Sequence, residues 1–592
     1  MSLSQDFIER PHKNEKEGAI AYVQELLKQA REDRRNEDVD KLEHLIRLLN
    51  TKKYGLVWEE HAELVEEEMK TKIPVFIEDE TKKIVGNLDS EDYNFLLEGD
   101  NLHSLHLLEK THAGAIDVIY IDPPYNTGTK EGAFRYNDKL VLKDDSYSHS
   151  KWLSFMSYRL KIAERLLSKN GVLFLHIDEN EYAQIKLLLD DIFGEYSFVE
   201  NVIWNKRVPK NDKGIGAIHE YVLIYSKNPK NEFMVEKEGL EEIFKIVEDA
   251  KELGKSPFEA QQLLKTYYKK NDFPRAITLY NNVDNNYQIF GKINMSWPNA
   301  STFGPRYDVI HPEVQQPVKV PYRGWRWKVE TLEEAMQGEY QKLGDGGYLK
   351  GKIWFAKDEK TQISSINYLK DTNRMLLRSI ISLKSDGSLE LEKLNFKKND
   401  FTYAKPVTLV KELLESITFN RQDAIILDFF AGSGTTGQAV IELNEVDGGN
   451  RKFILATNNE NNIAEDITYE RLKRISNGTE KFESMPINLK YFKTDFVVKE
   501  EFPDVTLEYE LLNYVTPLVE LEFGVDISNP KVQVILSEDQ LDDMNESDFM
   551  ENSTLFFHPE IFFDAEQERI LREKNITKQE IPDYYFGKDI WS

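Results

Sequence analysis

The sequence predicts an α/β protein with a largely parallel sheet that is split by a long insertion. A strand-helix-strand pattern occupies residues 94–178, the same pattern returns at 424–475, and between the two the alternation is lost. At the amino terminus, Ile20, Val23, Leu26 and Leu27, then Leu42, Leu45, Ile46 and Leu49, recur at helical spacing among charges, so one or two amphipathic helices open residues 1–90. The runs 116–121 (IDVIYI) and 172–177 (VLFLHI) are too short for helices and are bounded by turn residues. They read as buried parallel strands, with 152–167 as the helix between them. Residues 424–427 (AIIL) and 453–457 (FILAT) repeat that grammar around a helix at about 436–443. Residues 91–230 and 401–490 are therefore two halves of one core. Residues 231–400, rich in Asn, Tyr, Trp and Lys, form a different domain, and 491–592 an acidic carboxyl-terminal region suited to assembly or partner contact.

The 592 residues are about four times the ~150 of a common domain, so two to four domains are expected. With 40% hydrophobic and 30% charged residues, and only 20 Pro and 30 Gly, the composition argues against fibrous or disordered chains. No apolar run approaches the ~18 residues of a membrane span. The first residues lack a basic segment followed by an apolar one, which argues for the cytoplasm. Cysteine is absent, excluding disulfides, thiolate metal sites and cysteine nucleophiles. The net charge of -28 is uneven: residues 201–400 carry 32 basic and 27 acidic groups, net +5. Nucleic acid bound through that segment is compatible with the balance, because phosphate contact depends on local Lys and Arg. Equally, the acidic ends serve solubility.

Two constellations carry chemistry. LDFFAGSGTTGQAV (427–440) follows a strand and opens a helix, where glycines permit close approach to a ligand and the helix start offers unpaired N–H groups. No Lys follows the glycines, so a Walker-type loop is excluded, and with it an ATPase or helicase reading. The G-x-G-x-x-G match keeps a dinucleotide-dependent oxidoreductase open, as well as a plain tight connection without ligand. The second constellation, Asp122-Pro123-Pro124-Tyr125, ends the strand 116–121. Two prolines have no N–H to donate and hold the chain extended, so a carboxylate and backbone carbonyls project rigidly as acceptors. Such acceptors suit an exocyclic amino group, and Tyr125 can stack on the base that bears it. A simple turn is the competing reading.

With these residues in view, the sequence resembles the amino-methyltransferases of DNA that use S-adenosylmethionine. DPPY is their catalytic motif, usually for adenine, and FAGSG resembles their cofactor motif. DPPY at 122–125 precedes the glycine turn, as in the circularly permuted β class, where a Rossmann-like core carries an inserted target-recognition domain. GDNLHSLHLL (99–108), 152–159, VLFLHIDENE (172–181), VIWNK (202–206), HEYVLIYSKN (219–228) and FTYAKPVTLVKELL (401–414) look like further motifs of that class in order. More closely, YGLVWEEH (54–61), YDVIHPEVQQPVKVPYRGWRWK (307–328) and ILATNNENNIAEDITYERLKRI (454–475) resemble the modification (Mod) subunits of type III restriction-modification systems.

The resemblance implies S-adenosylmethionine as cofactor. Phe430, Ala431, Gly432, Ser433, Gly434 and Thr435 would surround its methionine end, Asp428 and Lys405 would lie near its polar groups, and Asp100 would read its adenine amine. Many relatives hold the ribose with an acid at the strand end where Thr457 stands, so Glu460 is the substitute expected here. Double-stranded DNA, a homodimer and a separate Res translocase-nuclease subunit are the partners implied. Direct transfer needs no covalent enzyme intermediate, which suits a chain without cysteine. Lys206, Arg207, Arg323, Trp325 and Arg326 are the expected DNA contacts, since RGWRWK interleaves cations with aromatics. Two buried tryptophans anchoring a small domain are the alternative for that run. His103 and His106 are expected on a helix surface without a chemical role, and His176 to Glu179 as a strand end with no metal. A solitary methyltransferase and a catalytically inactive DNA-binding relative remain open.

Overall fold

The structure, a computed structural model, describes residues 15–32, 38–39, 41–42, 58, 61, 63–88, 90–127, 148–206, 218–271, 273–383, 387–397, 400–401, 404–498 and 512–582. An eleven-stranded sheet organises it. Its main path uses β1 (Lys72–Glu78), β2 (Asn94–Glu98), β3 (Ile116–Ile121), β4 (Leu167–Ile177), β5 (Phe198–Asn205), β6 (His219–Ser226), β7 (Ile380–Ser382), β8 (Ile425–Asp428), β9 (Lys452–Thr457) and β10 (Asn488–Val498). Across the sheet they run β1-β10-β2-β9-β8-β3-β4-β6-β5-β7, with the short Ile84–Val85 beside β10. All neighbours from β10 to β4 are parallel. β1 and β6 are antiparallel to theirs.

Strand alternation feeds two cores. Ile119 and Ile121 face a layer containing α2 (Asn101–Thr111), α3 (Ser148–Leu166) and α4 (Tyr182–Phe193). Val118 and Tyr120 face α5 (Val407–Thr418), α6 (Thr435–Asp447) and α7 (Glu470–Asn477). From β8 the chain turns through α6 to β9, and from β3 it turns through α3, on the opposite face, to β4. The carboxyl ends of β3 and β8 thus flank a topological switch point, where open α/β sheets form their ligand crevice.

The insertion leaves and returns through a two-stranded ribbon, Met234–Glu236 against Arg374–Leu376. Beyond it lie helices Leu240–Glu252 and Pro257–Lys270, the latter opened by a Ser256/Glu259 capping box. A six-stranded antiparallel sheet between Asn282 and Tyr368 follows. Three differences from the sequence reading stand out. The first 90 residues are not only helical: KIPVFIE forms β1 at the sheet edge, while the expected helix at 42–49 lies, beyond Leu42, outside the described residues. The chain rejoins the main sheet at β7, ahead of residue 401. β10 crosses the 490/491 boundary, so the sheet extends into the carboxyl-terminal region. Among the described residues, no helix is long and apolar enough to cross a membrane.

After β10, helix Leu512–Phe523 packs into the first core and leads to three parallel strands, Val532–Ile535, Thr554–Phe557 and Thr577–Glu580. A buried ammonium joins this unit to the sheet. Lys490, with no exposed side-chain surface, lies 3.0 Å from Glu78 and 2.9 Å from Asp526 and also pairs with Glu520. Removing one member of such a cluster strands the others in a low dielectric. Lys490→Ala is expected to cost about 3–5 kcal/mol, read as a lower urea midpoint; an unchanged midpoint would show the cluster to be dispensable.

Candidate active site

β3 ends at Ile121; Asp122 follows it, and the next two residues cannot donate to any ladder. Their course is fixed from α3, whose Trp152 indole N–H donates to the Pro124 carbonyl at 2.8 Å. Asn126 then adopts a left-handed φ of 58°, and its amide donates at 2.6 Å to buried Glu181, which His149 also meets at 2.8 Å. Burial holds the Glu181 carboxyl above its ordinary range. The motif is thus clamped from both sides, leaving Asp122 at the crevice.

Both carboxylate oxygens of Asp122 are engaged. The Tyr125 hydroxyl donates to Oδ1 at 2.7 Å, and the Lys405 ammonium lies 2.6 Å from Oδ2. Lys405 precedes α5, and its carbonyl accepts from the Thr435 hydroxyl at 3.4 Å, so one residue touches both constellations. The sequence reading put Lys405 beside the cofactor; its ammonium sits on the DPPY carboxylate. Glu220, on β6, was not singled out from sequence, yet it meets Tyr125, Lys405 and Lys206.

The glycine turn is built around Asp428. Its oxygens accept from the Phe430 N–H at 3.0 Å and the Thr436 hydroxyl at 2.5 Å. Burial raises its carboxyl to about 7, against those two bonds and with help from the Asp122 charge. Gly432 and Gly434 take left-handed φ of 49° and 75°. At Gly437 a Cβ would lie 2.9 Å from the Leu472 side chain of α7 and 3.1 Å from that of Leu455 on β9, so a larger residue would push those leucines aside. Arg471 on α7, fully buried, donates to the Ser433 carbonyl at 3.1 Å and the Thr435 hydroxyl at 3.0 Å. Burial lowers its guanidinium to about 10. Sequence reasoning missed Arg471, though an arginine within the apolar stripe Ile467, Leu472 and Ile475 is the available signal.

Asp100 caps α2 through the Leu102 N–H at 2.8 Å and receives Arg159 at 3.2 Å. Arg159 lies 3.7 Å from the centre of the Phe155 ring, which packs 5.9 Å from Phe430, and Asn101 donates to the Phe429 carbonyl at 2.7 Å. Asp100 is thereby coupled to the glycine turn. A cavity of about 620 Å³ opens beside it, lined by Glu63, Val65, Gly99, His103, Thr494 and Phe496. Glu460 is exposed in the turn after β9, while the buried Thr457 hydroxyl at the strand end has no hydrogen-bond partner among the described residues.

Residues 116–470, from the start of β3 into α7, match the family model described as DNA methylase. The chain belongs to this family. It is similar to the type III restriction-modification EcoP15I Mod subunit of Escherichia coli, 31% identical over 453 residues that cover 69% of this chain and 66% of that one. The StyLTI Mod subunit of Salmonella typhimurium is 30% identical over 416 residues, covering 66% and 56%. The type II methyltransferase M.KpnI of Klebsiella pneumoniae is 30% identical over 444 residues, covering 69% and 94%. The matches thus span 66% and 56% of the two Mod subunits' own lengths.

The residues expected to touch DNA have separate fates. Arg323 and Arg326 are exposed, and Arg207 lies outside the described residues. Lys206 is committed to Glu220. Trp325 is corrected: its side chain is fully buried among Met295, Val309, Val318 and Ile353, and its indole donates to the Tyr307 carbonyl at 2.8 Å, so its ring is not available to a base. Exposed aromatics do stand nearby, Phe303 (64% exposed) and Tyr322 (80%), with ring centres 6.1 Å apart. His103 is corrected as well, since it is buried edge-on to Phe496 at 4.6 Å.

Asp428 makes stability pH-dependent. Its folded-state carboxyl titrates near 7 and its unfolded one near 4, so the folded chain holds the extra proton and stability falls as pH rises through that window. Asp428→Asn is expected to remove this part of the slope, on the order of 4 kcal/mol at most, in denaturant titrations at pH 5 and pH 8; an unaltered slope would refute it.

Proposed function

We propose that this DNA methylase transfers a methyl group from S-adenosylmethionine to N6 of an adenine flipped out of duplex DNA, acting as the Mod component of a type III restriction-modification system. What carries the reading is the clamped carboxylate of Asp122, with Tyr125 beside it, at a strand end adjacent to the glycine turn. The residues there fit the cofactor. Gly432 and Gly434 leave the turn's backbone open to close approach, Thr457 offers an unpartnered buried hydroxyl at the β9 end, and Asp100 borders a cavity. Phe430 to Thr435, with Asp428 behind them, would hold the methionine end, Asp100 the adenine, and Glu460 the ribose. When bound, S-adenosylmethionine supplies an electrophilic methyl on a positive sulfur.

The chain's own residues do the rest. Extruding a base costs a few kcal/mol, and stacking on Tyr125, worth roughly 1–3 kcal/mol, offsets part of it. The amine is a poor nucleophile because its lone pair is delocalised into the ring. Accepting its N–H bonds at Asp122 and the Pro123 carbonyl favours a pyramidal nitrogen with the lone pair free for attack. Placement of the reactants supplies most of the acceleration. Across the ribbon, the insertion would choose the site, with Arg323, Arg326, Phe303 and Tyr322 presented to DNA. A homodimer and a Res subunit complete the proposed assembly. The 94% coverage of M.KpnI favours a second reading, a methyltransferase that works without Res; co-expression with a Res subunit and a cleavage assay separates the two.

Asp122→Ala is expected to keep S-adenosylmethionine binding by calorimetry while transfer of tritiated methyl to unmethylated DNA drops at least about a hundredfold. Turnover at the unsubstituted rate would discard the role given to Asp122.

A further inference from the structure

Both donors that occupy Asp122 also lie beside one and the same further acceptor atom. Glu220 Oε2 lies 3.3 Å from the Tyr125 hydroxyl and 3.7 Å from the Lys405 ammonium. The other oxygen, Oε1, is held by Lys206. Glu220 is 7% exposed, on a strand paired on both sides: it sits opposite Trp204 of β5, and its neighbour Tyr221 sits opposite Ile177 of β4. Burial works to raise its carboxyl, but Lys405 and Lys206 outweigh burial and keep it below the ordinary range, so it remains an acceptor. Burial and the Asp122 charge push the Tyr125 hydroxyl well above its usual range, so it remains a donor.

A hydroxyl has one proton to give. While Tyr125 gives it to Asp122 and Lys405 covers the second oxygen, each oxygen of the carboxylate expected to receive the target amine already carries a donor, so the amine would meet a crowded and weakened acceptor. Resting on the function proposed above, we infer that Glu220 is a positioning residue that takes over the Tyr125 hydroxyl and the Lys405 ammonium when the base claims Asp122. The exchange makes and breaks hydrogen bonds only, with no net proton transfer. Tyr125 shifts from 2.7 Å contact with one carboxylate to the other, and Lys405 keeps a counter-charge throughout. Without Glu220, the Tyr125 hydroxyl would lose the acceptor it moves to and the Lys405 ammonium a neighbouring counter-charge, which penalises the reacting complex and spares cofactor binding.

The test is a double-mutant cycle in single-turnover methylation of DNA, with E220Q, Y125F and both together, after confirming that each variant binds S-adenosylmethionine. E220Q is expected to slow the methyl-transfer step roughly 10- to 100-fold with dissociation constants for cofactor and DNA within about twofold of the unsubstituted chain. In the Y125F background, where there is no hydroxyl to receive, the same substitution should cost at least about threefold less. Equal losses in both backgrounds, or E220Q at the unsubstituted rate, would overturn the role. E220D keeps the charge but draws it back by one methylene; it gives the same cycle if E220Q does not fold. Label failing to reach DNA with the unsubstituted chain would instead sink the proposed function.

Discussion

The pairing of β3 with β8 is the contact on which the rest depends. Only two residue pairs define it, Val118 with Ile426 and Ile119 with Leu427, and all four side chains are fully buried. Its register sets Asp122 and the glycine turn at adjacent carboxyl ends, although some three hundred residues separate them in sequence. Because parallel strands need a crossover, the two halves must be wound on opposite faces, and the crevice between them follows from that winding. Lys405 then ties the halves side chain to backbone, with its ammonium on Asp122 and its carbonyl beneath Thr435.

Charge is distributed in the same spirit throughout. Buried cations each serve several acceptors at a junction: Lys490 between the sheet and the carboxyl-terminal unit, Arg471 between α7 and the glycine turn, Arg159 between α3 and the start of α2. Each satisfied cluster fixes one relative placement of its elements, because a half-satisfied one is costly in a low dielectric. This is how an acidic chain keeps a rigid crevice without disulfides.

Much of this was legible in the sequence, and the reasons differ by element. The strands 116–121 and 453–457 announce themselves as short apolar runs, broken only by Asp117 and ended by Thr457, which burial on both faces explains. The Asp122 to Tyr125 turn is legible because two prolines at a strand end have few uses. β7 was not, as three residues carry no periodicity, and β1 was hidden by the acidic stretches on either side of it. Glu220 looked like one polar position in an apolar strand, and what makes it notable, the convergence of Lys206, Tyr125 and Lys405, is entirely long-range. Trp325 shows the converse. Arginine beside tryptophan suits a nucleic-acid surface and a packed core equally, and the Tyr307 carbonyl that settles the matter comes from an irregular segment 18 residues upstream.

The three-residue ribbon at the root of the insertion has a wider implication. Its two strands bring the entry and exit of some 140 residues side by side, so the enclosed unit behaves as a cartridge. Recombination at those neighbouring points can exchange the whole of it, and with it the proposed choice of DNA site, while the crevice between β3 and β8 stays as it was.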